Sequence, residues 1–198
     1  MSSTGSAISW WREPRRLVLI AISGLSVVYP AVVWLYHGVV APQLFVLFAL
    51  LLVGVRMALM APDRNRPWRL ALAAVAIFLV VLAAVAPDVG TKAYPVLLSL
   101  AASYVFAQSL ISPPSLIERM ARVRRATVSE GLRLYCRNLT VIWSVWLLAN
   151  AAIAAVLAVQ GSDQMWALWT GCLSYVLSGV LLVGEMGVRR AVLRKQGA

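Results

Sequence analysis

Six stretches of the sequence, at about 17–36, 44–61, 70–86, 93–111, 139–159 and 166–186, are apolar almost without interruption. Each is close to the ~20 residues that a helix needs to cross the ~30 Å hydrocarbon layer of a bilayer. This pattern constrains the fold more than any other feature, because in lipid every backbone N–H and C=O must be satisfied within the segment, and helices do that. Composition agrees. Of the 198 residues, 62% are hydrophobic and 13% charged, against about 45–50% and 25% in a soluble domain. The expected fold is all-α: one polytopic transmembrane domain of six helices, 1–198, with a long loop at 112–138 and a tail at 187–198.

Pro42, Pro62, Pro67 and Pro87 stand at the ends of the apolar runs, and aromatic residues such as Trp34, Tyr36, Trp68, Tyr135 and Trp166 sit at their borders, as interfacial anchors do. Trp10, Trp11, Arg12, Arg15 and Arg16 precede the first run, but Tyr29, Pro30 and Trp34 occupy the place of a small-residue cleavage site. The segment is therefore expected to be a retained helix. The outer connections, near 37–43, 87–92 and 161–164, are too short for a separate domain.

The net charge of +11 suits a nucleic-acid binder in a soluble protein, but its placement reports topology. With the N-terminus in the cytoplasm, sixteen of the eighteen Lys and Arg residues fall on the inner side, Lys92 lies outside and Arg56 within a span. This asymmetry puts both termini in the cytoplasm. The basic residues then serve retention and contact with anionic headgroups, and no nucleic-acid partner is expected.

The 112–138 connection carries its own order. Ser115 and Glu118 have the spacing of a capping box after Pro113 and Pro114, and Leu116, Met120 and Val123 recur at helical spacing among arginines. A short basic amphipathic helix in the inner interface is expected. Thr127 and Glu130 give a second capping signal, for a helix running into span five.

Ionisable groups inside a span are costly and mark sites. Arg56 and Glu185 lie at similar depth, so they are candidates for a pair lining a cytoplasm-facing pocket with Gln108 and Asn138. Arg56 snorkelling to the headgroups, with Glu185 pairing to Arg189, is the other reading. Asn150, midway along span five, is expected to hydrogen-bond across a helix contact, with Ser174 and Tyr175 suggested by depth. The candidate polar pocket is thus Arg56, Gln108, Glu185 and Asn150, and the candidate docking segment is Glu118, Arg119, Arg122, Tyr135 and Arg137. Cys136 and Cys172 fall near opposite faces, too far apart for a disulfide. With a single histidine, His37, no metal or cofactor ligand set is expected, and no catalytic motif is present.

Tyr94-Pro95, the Pro-Pro-Ser-x-Ile-Glu-Arg run at Pro113 to Arg119, Tyr135 and Arg137, Asn150, and Gly184-Glu185 with the arginines after it resemble a family of small bacterial inner-membrane proteins. The genes of that family lie in aryl polyene (xanthomonadin-type) pigment clusters. The first three spans resemble it through Tyr29-Pro30 and Arg56. A more distant likeness, through Arg56 and the Ile117 to Met120 run, is to inner-membrane septation proteins. The resemblance implies a context, aryl polyene or envelope-lipid assembly; the large inner loop and the absent catalytic set lead to the expectation of a non-enzymatic accessory that docks cytosolic acyl carrier, ketosynthase or acyltransferase proteins. A small carrier or flippase for an amphipathic acyl or aryl intermediate is the alternative.

Overall fold

The computed structural model describes residues 14–60, 66–124 and 129–196, with side chains for 17–60, 66–123 and 129–187. The anticipated roles of Trp10, Trp11, Pro62 and Thr127, and of the Arg189 side chain, lie outside the described residues. Among the described residues eight helices follow in order: α1 (Pro14–Tyr36), α2 (Pro42–Leu59), α3 (Arg66–Val85), α4 (Pro87–Ile111), α5 (Leu116–Arg124), α6 (Glu130–Gln160), α7 (Asp163–Leu168) and α8 (Ser174–Gln196). A π turn at Trp169–Leu173 joins α7 to α8. Among the described residues six segments are long and apolar enough to cross a membrane, namely α1 to α4, α6, and the run from α7 into α8. No more than 28% of any span window is buried, so most of the apolar side-chain surface faces outward. In water that arrangement is untenable; in lipid it is the required one.

Prolines that punctuate the runs in sequence turn out to start helices. Pro42 and Pro87 are the first residues of α2 and α4, where the missing N–H costs nothing because the first turn has no acceptor for it. The expected outer loop at 87–92 is therefore helical, and Ala86 alone separates α3 from α4. The α1–α2 turn passes through Gly38 at φ +86°, a left-handed conformation that only glycine adopts without strain.

The chain divides into two compact units, Met1–Tyr94 and Pro95–Ala198. In the first unit, Tyr29, Val33, Val46, Val53, Leu72 and Leu79 are among the buried residues. Gly90 brings α4 so close to α2 that an added Cβ would stand 3.1 Å from Val46 Cγ2. Tyr29 and Tyr94 meet edge to face, with ring centroids 4.9 Å apart. The two Tyr-Pro dipeptides, at non-equivalent places along their helices, thus meet through their tyrosines.

In the second unit, α4 and α6 approach through two serines. Ser103 donates its hydroxyl to the Ser144 carbonyl at 2.9 Å, and Ser144 returns a bond to the Ser103 carbonyl at 3.3 Å. Small hydroxyl residues let helix backbones come close and still satisfy their own polar groups, a common contact in membranes. The indole N–H of Trp146 donates to Ser178 Oγ at 2.9 Å, tying α6 to α8. The 31 residues of α6 run without a break. At 1.5 Å per residue that is about 46 Å, well beyond the ~30 Å of hydrocarbon. Its first turns, with Arg133 and Arg137, belong to the same unbroken helix as span five, the continuity that the sequence anticipated. Ser129 caps it, accepting from the Leu132 amide at 3.4 Å.

Candidate functional site

The site is built where α5 folds back onto α6. Helix α5 is only nine residues long, too short to hold itself, so packing has to fix it. Ile117 and Ala121 pack against a cluster with Leu132 and Cys136 on α6. Met120 and Val123, which with Leu116 are the apolar positions of the expected interfacial helix, are 65% and 75% exposed. Ile117 and Ala121, one position on from Leu116 and Met120, make the contact with α6.

The capping box also takes another form. Ser115 precedes α5, but its Oγ is buried without a hydrogen-bond partner among the described residues. Ser109, on α4, accepts from the Leu116 amide at 2.9 Å and caps the helix from outside. Glu118, freed from the reciprocal bond, takes the Arg122 guanidinium instead, with Nη2 at 2.6 Å and Nε at 3.1 Å from Oε1. A tertiary cap has replaced the local one.

Between α4, α5, α6 and α8 lies a cavity of about 400 Å³. Phe106, Leu139, Trp143 and Leu182 form much of its apolar wall, and Ile117 and Ala121 close it from α5. Three polar residues also line it: Tyr135, Cys136 and Glu185. The Tyr135 hydroxyl lies 3.2 Å from the Glu185 carbonyl oxygen and 3.5 Å from its Oε1, so it donates toward α8 across the cavity wall. Glu185 is half-buried. An apolar cavity of this size with a few convergent polar groups has the general form of a small-molecule site.

Of the four residues expected to share a polar pocket, one belongs to the first unit and three to the second, and each is described within its own unit. Arg56 belongs to the first unit, where its Nη2 donates to Ser26 Oγ at 3.0 Å and Ser26 is in turn 2.9 Å from the Tyr94 hydroxyl. Asn150 bridges helices as glue, donating to Ser99 at 3.0 Å and accepting from the Trp169 indole at 3.1 Å. Depth had suggested Ser174 and Tyr175; the π turn that begins at Trp169 accompanies the different choice. Gln108 has a buried Oε1 without a partner among the described residues and does not line the cavity. Only Glu185 does, and its companion there is Tyr135, taken from sequence as a docking residue.

The remaining docking candidates are engaged within the chain. Arg119 donates to the carbonyls of Pro114 at 2.7 Å and Ser112 at 2.9 Å, Arg122 holds Glu118, and Arg137 donates to the Leu110 carbonyl at 3.2 Å. They fasten the α4–α5–α6 connection. Ser26 and the apolar cavity walls escaped the sequence reading: a serine in a span carries no charge signal, and an apolar residue looks the same whether it faces lipid, core or cavity. Cys136 and Cys172 are both thiols. Among the described residues no group of three or more His, Cys, Asp or Glu is placed to hold a metal ion.

Six membrane-crossing segments and an apolar cavity with an acid and a phenol in its wall define a polytopic α-helical membrane protein. Comparison with protein-family models, curated proteins and solved structures finds no match for the chain.

Proposed function

We propose that this is an inner-membrane accessory of bacterial aryl polyene or envelope-lipid assembly, with both termini in the cytoplasm, that takes the apolar chain of an acyl or aryl intermediate into the α4–α5–α6–α8 cavity. The observation that carries this reading is the cavity itself, apolar over most of its wall, with the Tyr135 and Glu185 pair lining it where a polar end group would lie. In this arrangement α5 lies in the inner interface, and the bound intermediate is presented to cytosolic acyl carrier, ketosynthase or acyltransferase proteins. Binding is favoured over pure docking because four of the five docking candidates spend their charged groups on contacts within the α4–α5–α6 connection and its flanking helix ends. Photo-crosslinking tests it. A diazirine-bearing fatty acyl probe in membranes is expected to label cavity residues on α5 and α6, and Ala121→Trp, which fills the cavity, to remove that labelling. Uniform labelling along all spans, unchanged by Ala121→Trp, defeats the proposal.

A second reading, recruitment of the cytosolic enzymes themselves, has its support in the exposed Met120 and Val123 on α5. Val123→Asp, outside the lining of the cavity, is then expected to release those enzymes from the membrane fraction while probe labelling persists.

A further inference from the structure

A second, smaller cavity of about 160 Å³ lies beside the Glu118–Arg122 pair. Its polar wall is Ser109, Ser115, Glu118, Glu130, Arg133 and Arg137. At ~30 Å³ per water it has room for about five waters, or one compact polar group. Ser109 is satisfied, donating to the Phe106 carbonyl at 2.7 Å and capping α5. Ser115 is not: it is 4% exposed, and its Oγ has no partner among the described residues. A buried hydroxyl in that condition is costly and calls for an explanation. A ligand in the cavity it lines supplies one.

The charges of the wall say what kind of ligand. Two carboxylates, Glu118 and Glu130, face two guanidiniums, Arg133 and Arg137. Both bonds from Arg122 fall on Glu118 Oε1, and Arg137 gives its Nη1 to the Leu110 carbonyl. A lone metal cation in this cavity would meet two guanidiniums, and a lone phosphate two carboxylates. A group with both signs a few ångströms apart meets neither penalty. The cavity also lies where the apolar run of α4 ends, at Ile111, and the arginine-rich stretch begins, which is where headgroups meet a spanning helix.

We propose that this cavity binds the headgroup of a phosphoethanolamine lipid, with Ser115, Arg133 and Arg137 on the phosphate and Glu130 and Glu118 on the ammonium. A primary ammonium carries N–H donors for the carboxylates; the quaternary ammonium of a choline lipid has none, and a glycerol headgroup has no cation. The site is independent of the tail cavity proposed above.

The test is native mass spectrometry of the full chain, delipidated in detergent and offered equal amounts of phosphatidylethanolamine, phosphatidylcholine and phosphatidylglycerol with identical acyl chains. The ethanolamine lipid is expected to be retained about tenfold over each of the others, the scale of one charge-assisted hydrogen bond. Glu130→Gln and Arg133→Gln change exposed side chains, so the variants fold; each is expected to bring retention close to parity, with Ser115→Ala in between. Leu182→Trp, on α8 in the wall of the other cavity only, leaves the preference intact. Equal retention of the three lipids, or a preference untouched by Glu130→Gln and Arg133→Gln, overturns the proposal. So does a glycerol-lipid preference lost only in Arg133→Gln, which marks a plain anion site. A rise in melting temperature with soluble phosphoethanolamine equal to that with the lipid removes the lipid assignment.

Discussion

The Tyr29 hydroxyl donates to the Thr91 carbonyl oxygen at 2.8 Å, and this is the carbonyl that Pro95, four residues on, deprives of its helical N–H. A proline inside a span leaves one backbone acceptor without its partner where no water can replace it. Here a tyrosine from α1 fills the vacancy, and Thr91 and Tyr29 are both fully buried. The kinship of the two Tyr-Pro dipeptides is therefore one of contact: the proline of the second creates the acceptor that the tyrosine of the first satisfies.

Tyr29→Phe removes the donor and strands the carbonyl, so it is expected to destabilise the protein by about 1–3 kcal/mol. In a Pro95→Ala background the helix supplies its own N–H, and the same change is expected to cost less than half as much. Thermal melts of the four proteins in detergent give the coupling directly. Additive losses sink the account.

Asn150 lies midway along the apolar part of α6 and holds two partners at once, Ser99 and Trp169. Asn150→Leu leaves the Trp169 indole N–H without its acceptor and is expected to cost about 1–2 kcal/mol. Asn150→Asp keeps an acceptor for the indole and loses the donor to Ser99, so it separates the two bonds. If Trp169→Phe abolishes most of the Asn150→Leu penalty, the indole bond is the larger part. Full penalties in both backgrounds contradict a direct bond.

Much of the fold is legible in the sequence because a bilayer demands runs of fixed length, and no soluble core imposes so strict a ruler. The six spans follow from that alone. The starts of α2 and α4 do not: Pro42 and Pro87 are as compatible with a loop as with a first helical residue, and only the structure distinguishes them. Glu185 stands out as an acid near a span end, whereas its neighbour Tyr135 lies fifty positions earlier and is grouped with the arginines around it. Their meeting depends on how α6 packs on α8, which no local pattern encodes. Phe106, Trp143 and Leu182 carry no signal at all, since lipid-facing, core and cavity-lining residues share one composition.

The capping of α5 shows how a correct local motif is overruled. Ser-x-x-Glu is present at Ser115 and Glu118, yet Ser109 does the capping and Glu118 the ion pairing. Ser109→Ala is accordingly expected to lower stability by about 1 kcal/mol, the usual cost of losing a cap, and to loosen α5 as read by faster amide exchange at Leu116. Ser115→Ala is expected to leave that exchange unchanged and, by removing an unpaired buried hydroxyl, to raise stability slightly in the delipidated protein. The reverse order of effects restores the local capping box.

Glu185 separates the sequence reading from the structural one most sharply. A buried pair with Arg56 requires Glu185→Gln to strand a cation, at a cost of about 3–5 kcal/mol. Within its own unit the residue does something milder: its side chain and carbonyl accept from Tyr135, at 3.5 and 3.2 Å. Glutamine keeps an oxygen in that position, and the carbonyl is untouched. Arg56, for its part, has the Ser26 hydroxyl at 3.0 Å. Glu185→Gln is therefore expected to cost under about 1 kcal/mol, the scale of one neutral hydrogen bond, and Tyr135→Phe a similar amount, with the double variant losing less than the sum. Arg56→Gln added to Glu185→Gln should bring no rescue. Melting temperatures in detergent decide it: a loss of several kcal/mol in Glu185→Gln, recovered on adding Arg56→Gln, would establish the buried ion pair and displace Tyr135 as the partner that matters.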